Sequence, residues 1–300
     1  MKLETTPALV QMLRAYAEAF AAHPPALLAH FPDNASLAAD STSVRFPFAA
    51  DSDRGLGVVL LAAALHRPGS QSAAAGWGSE AAALVAGLFE AYGTDVFRLN
   101  RLPFDPLRDR VAGLAPLMEA ADRARVPGIA RSVCDFFFRT GSLTDWLATA
   151  PDWEQRAGEL SQEIYWMGAR SRTRTKARLF FWLVCNIPGY GARPEVREAA
   201  GRFRWALGDG HMRLLFDIVK PPRGASLGGV EGRLDLFADL ARRVFPDAPW
   251  RLYLPLDSYL KPDGKGSYRC RAVQGGCRPC PLAALCPAAK HFLGTERTGR

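Results

Sequence analysis

Residues 268–287 read Tyr-Arg-Cys-Arg-Ala-Val-Gln-Gly-Gly-Cys-Arg-Pro-Cys-Pro-Leu-Ala-Ala-Leu-Cys-Pro, which sets Cys270, Cys277, Cys280 and Cys286 in the pattern Cys-x6-Cys-x2-Cys-x5-Cys. Four thiolates this close can wrap one compact centre, and soft sulfur ligands suit either zinc or an iron–sulfur cluster. Zinc ribbons carry two Cys-x2-Cys knuckles separated by a longer spacer. Only one knuckle stands here, so the spacing favours iron. The other two of the six cysteines, Cys134 and Cys185, fall on apolar helical faces, where such residues are ordinary core.

The rest of the 300-residue chain is an ordinary globular composition, 48% hydrophobic and 23% charged, long enough for one large or two modest domains. A net charge of +8 points to a polyanionic partner rather than an acidic one. The longest uncharged apolar run, Leu56 to Leu65, is about half of what a membrane span needs. Met1 to Thr6 lacks the basic and apolar regions of a secretory signal, so a cytoplasmic protein is expected. In that compartment cysteines serve as metal or cluster ligands rather than disulfides.

Upstream of the cysteines, helical periodicity dominates. Thr6 to Ala22 places Leu9, Leu13, Tyr16 and Phe20 on one face and stops at Pro24-Pro25. Further helices are expected over 56–66, 80–92, 107–124, 127–140, 152–166, 194–206 and 230–245, each bounded by Gly, Pro or Asp. Thr175 to Val184, with Leu179-Phe-Phe-Trp-Leu-Val184, reads as a buried central helix. Arg251 to Leu256 is the one short strand candidate, and Pro255 interrupts it. Residues 31–54 and 67–79 read as loops. The expected class is all-α.

The cysteine spacing resembles the [4Fe-4S] loop of endonuclease III and the adenine glycosylases, members of the helix-hairpin-helix DNA glycosylase superfamily, and differs from the ferredoxin spacing. The likeness continues upstream. Asp257, in Pro255-Leu-Asp-Ser-Tyr259, stands thirteen residues before Cys270, and an amphipathic stretch from Leu234 ends in Val244-Phe-Pro246. Leu214-Leu-Phe-Asp217 stands where the family carries its catalytic aspartate, although Ile218-Val-Lys220 differs from the residues that come after that aspartate in the family. The family's hairpin, an apolar-Pro-Gly-x-Gly turn before an apolar helix, has two candidates. Ile187-Pro-Gly189-Tyr-Gly191 matches by letter but precedes a charged helix. Trp166-Met-Gly168-Ala-Arg170 lacks the second glycine but precedes the apolar run, and is preferred.

The resemblance implies two helical lobes with a DNA-binding cleft between them, residues 26–185 forming one and 1–25 with 186–300 the other, the latter holding the [4Fe-4S] loop at 266–290. It implies a monomeric protein that binds duplex DNA, is associated with the nucleoid when so bound, and releases damaged or modified bases; from the short apolar runs, no membrane partner is expected. An N-glycosidic bond breaks through an oxocarbenium-like state, which needs a carboxylate near the sugar and a pocket for the extruded base. Asp217 would be that carboxylate; its alternative role is to cap the next element. Bifunctional members also use a lysine amine as nucleophile, and Lys176 stands in the matching region, where it could equally contact phosphate. Lyase activity is not favoured. A non-catalytic DNA-binding protein on the same scaffold is the alternative.

Arg170, Arg172, Arg174, Lys176 and Arg178 place five positive charges in nine residues at a helix start, a pattern suited to phosphate or, more plainly, to a solvated face. Arg269, Arg271 and Arg278 add a second basic surface inside the cysteine loop. Gln71, Trp77, Tyr165 and Trp166 are candidates for a base pocket, though core roles suit each better. His66, His211 and His291 have no ligand spacing, and there is no Gly-Lys-Ser phosphate loop or dinucleotide fingerprint.

Overall fold

The computed structural model describes residues 6–21, 26–32, 44–66, 79–114, 120–149, 152–169, 171–207, 212, 215 and 229–253. These residues are all-α, with no strand among them. The chain divides into two compact units. One comprises Pro24–Arg67 and Ser72–Ala199; the other comprises Met1–His23, Pro68–Gln71 and Ala200–Arg300.

The first unit is built on two apolar helices. Helix α2 (Asp53–Leu65) starts where the Ser52 hydroxyl accepts from the Gly55 amide, and every residue from Gly55 to Leu65 is buried. Helix α9 (Thr175–Cys185) is buried from Ala177 onward and packs along α2. Beyond their first residues both are buried on every side, and apolar but for Arg178 of α9, because neighbours cover them. Around them stand α3 (Ser79–Tyr92), α4 (Phe104–Leu114), α5 (Ala120–Arg123), α6 (Val126–Thr140), α7 (Leu143–Ala148), α8 (Trp153–Glu163) and a 3₁₀ segment, Gly93–Arg101. Helix α8 is amphipathic: Trp153, Ala157 and Leu160 face inward, and Trp153 stacks on Phe181 of α9 at 4.7 Å. Burying side chains of this size is worth roughly 2 kcal/mol each.

The second unit pairs α1 (Pro7–Ala21) with α11 (Gly229–Val244). Leu9, Leu13 and Ala17 are buried on α1, and Leu234, Phe237, Leu240 and Val244 on α11. The Arg14 guanidinium donates to the Val244 carbonyl at 2.6 and 3.1 Å, closing the carbonyl end of α11 with a cation. Helix α10 (Pro194–Arg202) carries the boundary between the units.

Two local expectations change. The stretch expected as one helix over 107–124 contains α4 and the short α5, with 115–119 outside the described residues. Residues 251–253, the start of the strand candidate, are helical instead: Arg251 N–H donates to the Ala248 carbonyl and Leu252 N–H to that of Pro249. Pro249 opens this turn where a missing N–H costs nothing. No helix among the described residues is long and apolar enough to cross a membrane.

Candidate nucleic-acid interface

The connection between α8 and α9 is a tight, locally strained turn. Met167 N–H donates to the Ile164 carbonyl at 3.1 Å, Ser171 N–H to that of Gly168 at 2.8 Å and Arg174 N–H to that of Ser171 at 3.2 Å. Three positions take positive φ: Trp166 at 64°, Gly168 at 100° and Arg174 at 44°. Glycine adopts such angles freely, whereas a side chain there costs about 1–2 kcal/mol. Ile164 and Met167 are buried and pin the turn on both sides. Between them Tyr165 and Trp166 are forced outward, 50% and 49% exposed. The core role expected for this aromatic pair is thereby corrected: the left-handed residue turns both rings toward solvent.

Neighbouring helices hold the pair in place. The Tyr165 amide donates to the Ser132 hydroxyl of α6 at 3.1 Å, and the Tyr165 ring lies where a Cβ on Gly128 would come within 3.3 Å. The Arg125 guanidinium sits 4.1 Å over the Trp166 ring and donates to Asp122 at 2.8 Å. Arg125 precedes α6 and Asp122 belongs to α5, roughly forty residues away in sequence, which is why no sequence signal marked them.

Lys176, in the first turn of α9, joins this group. Its ammonium donates to the Ala64 carbonyl at 2.6 Å, at the carbonyl end of α2 where the helix dipole favours a cation. Burial pushes its pKa down to about 8, Asp122 opposing the shift and Arg125 adding to it. At neutral pH about a tenth of this amine is therefore unprotonated, far more than for a solvated lysine.

The basic run turns mostly inward. Arg178 is 1% exposed; it donates to both oxygens of Glu154 on α8, at 3.0 and 2.9 Å, and to the Thr173 carbonyl. Its assignment to phosphate is corrected: the side chain ties the turn to α8 and has no surface to offer. Arg174 donates to the Glu154 carbonyl at 3.1 Å and packs over Gly158, so it too is partly committed to α8. Arg172 is exposed, and Arg170 lies outside the described residues. Three of the five cations, Arg174, Lys176 and Arg178, are answered within the protein, by one carboxylate and three backbone carbonyls.

Gly168 sits in the α8–α9 turn just described. Gly189 (φ 77°) and Gly191 form the next turn, between α9 and α10. There the Gly191 amide donates to the Ile187 carbonyl at 3.0 Å, and a Cβ at Gly191 would overlap the Cys185 carbonyl oxygen. Both hairpin candidates are thus real helix–turn–helix connections, but the aromatic pair and the desolvated lysine accompany the first. Asp217, Arg269, Arg271, Arg278, Gln71 and Trp77 lie outside the described residues, as do Cys270, Cys277, Cys280 and Cys286. Cys134 and Cys185 are buried, and burial pushes the first thiol up to about 11 and the second well above its ordinary value. Among the described residues no group of His, Cys, Asp and Glu could hold a metal ion. No protein-family model, curated protein or solved structure matches this chain.

Proposed function

We propose that this protein is a base-excision-repair DNA N-glycosylase that binds duplex DNA and releases damaged or modified bases, on the helix-hairpin-helix glycosylase fold with a [4Fe-4S] loop near its carboxyl end. The observation that carries it is the α8–α9 turn, where Tyr165 and Trp166 stand exposed beside Arg125 and a desolvated Lys176. Proteins that open a duplex insert side chains such as these beside the lifted base and steady the backbone with nearby cations. Arg172, exposed in the same turn, supplies one such cation.

In this mechanism Asp217 stands beside the sugar. The bond from C1′ to the base nitrogen breaks, and its electron pair leaves with the base. Asp217 stabilises the positive charge left on the sugar and accepts a proton from the water that adds there. The donor set Cys270, Cys277, Cys280 and Cys286, four soft thiolates around a single knuckle, fits an iron–sulfur cluster. Such a group would act structurally, holding the loop that carries Arg269, Arg271 and Arg278 toward phosphate.

The lowered pKa of Lys176 favours a second activity. A neutral amine can attack C1′ as the bond to the base breaks and its electron pair leaves with the base; loss of a proton from the nitrogen and opening of the C1′–O4′ bond then give a Schiff base. In the resting structure its donation to the Ala64 carbonyl directs the amine into the protein, so hydrolysis assisted by Asp217 is the primary reading.

A panel of duplexes carrying oxidised, alkylated, deaminated and mismatched bases tests the proposal. Base release that is lost in Asp217→Asn is expected. Borohydride trapping on the same substrates, absent in Lys176→Gln, would mark the lyase. Duplex binding without release from any substrate would instead establish a non-catalytic protein on this scaffold.

A further inference from the structure

Helix α6 ends in Phe136-Phe137-Phe138, and its three rings have three different surroundings. Phe136 meets Trp146 edge-on in the core at 5.5 Å. Phe137 stacks on Phe97 of the 3₁₀ segment at 5.2 Å. Phe138 points out, 70% exposed, the most exposed large apolar side chain among the described residues. It stands at the edge of an open groove of about 660 Å³ between the 3₁₀ segment, the end of α6 and the start of α2.

The groove is basic as well as aromatic. Arg54, Arg98 and Arg101 line it, against a single carboxylate, Asp95. Asp95 lies 3.8 Å from Arg98, with both side chains about two-thirds exposed, a pairing worth little in water. Arg54 and Arg101 have no carboxylate partner among the described residues; Arg101 lies only over the Phe138 ring, at 5.8 Å. Packing within the protein explains neither this excess of cations nor a phenylalanine held in water.

We infer that this groove binds a single-stranded DNA segment, with phosphates held by Arg54, Arg98 and Arg101 and a base stacked on Phe138. Single-strand sites combine a cationic track for the backbone with aromatic platforms that accept any base. Three arginines drawn from α2 and the 3₁₀ segment exceed what the one phosphate of a nucleoside monophosphate needs, which selects the strand. The assignment does not rest on the α8–α9 turn. Arg125 and Phe138 stand near opposite ends of α6, about 20 Å apart at the helical rise.

The test is fluorescence anisotropy of a labelled thymidine decanucleotide with the full chain across a salt series. Phe138→Ala is expected to weaken binding about tenfold, the loss of one stacked base. Arg98→Ala with Arg101→Ala should lower the salt slope by about 1.4, two contacts at ~0.7 each. Arg54→Ala, on a different helix, should lower it by about half as much. All four side chains are exposed, so thermal melting should not move. Affinity and slope unchanged in all these variants would overturn the inference. So would thymidine monophosphate competing as well, mole for mole, as the decanucleotide, since that marks a mononucleotide pocket. Base release does not enter the readout, so failure here leaves the glycosylase proposal standing.

Discussion

Replacing Arg178 with methionine removes a guanidinium that is 1% exposed and leaves Glu154, whose side chain is 16% exposed, without its bidentate partner. The Thr173 carbonyl loses its donor at the same time. Breaking one side of a buried ion pair costs about 3–5 kcal/mol, and the partial exposure of Glu154 places this one near the lower end. For a unit of this size that is a fall in Tm of roughly 6–12 °C. Glu154→Met combined with Arg178→Met removes both charges and should recover most of the loss, giving a coupling of about 2 kcal/mol in a double-mutant cycle. Urea denaturation followed by circular dichroism measures all four corners. A single variant that loses less than about 1 kcal/mol, while duplex affinity falls and its salt slope drops by ~0.9, would show instead that Arg178 contacts phosphate.

Lys176 sets a pH dependence. Its folded pKa, about 8, lies below the ordinary lysine value, so between pH 8 and 10.5 the unfolded chain binds the extra proton and stability rises with pH. Below that window the folded state carries the full desolvation penalty, about 3 kcal/mol. Urea midpoints across the window should show this component in the native chain and not in Lys176→Met; equal slopes would exclude it. Trp166→Gly exchanges left-handed strain for the loss of the Arg125 contact, so stability should stay within about 1 kcal/mol while duplex affinity falls several-fold. A collapse in stability with unchanged affinity would make Trp166 purely structural. Gly191→Ala drives a methyl into the Cys185 carbonyl and should cost about 2–3 kcal/mol in the same denaturation assay; a neutral result would mean that the turn relaxes freely.

Much of the fold was legible because periodicity is local. The run from Leu179 to Val184 announced α9, and the alternation of apolar residues on α1, α6, α8 and α11 placed those helices to within a few residues. What failed depended on contacts distant in sequence. The basic run around Lys176 read as an outward track because most of its partners, Glu154 for the arginines and the Ala64 carbonyl for the lysine, lie 20 to 112 residues away. Tyr165 and Trp166 read as core because apolar type usually decides burial, whereas here a positive φ decides it. The desolvation of Lys176 could not be read either, since it depends on the end of α2 meeting the start of α9. Phe138 was hidden for the opposite reason: in a helix with two neighbouring phenylalanines buried or half-buried, nothing local marks the third as exposed.

Iron in anaerobically purified protein, quantified per chain, bears most directly on the proposal that this is an iron–sulfur glycosylase. Close to the four irons of one [4Fe-4S] cluster are expected, lost when Cys277 and Cys280 become serine. Zinc at one per chain, or metal-free protein that folds as well with those serines as without them, would contradict it.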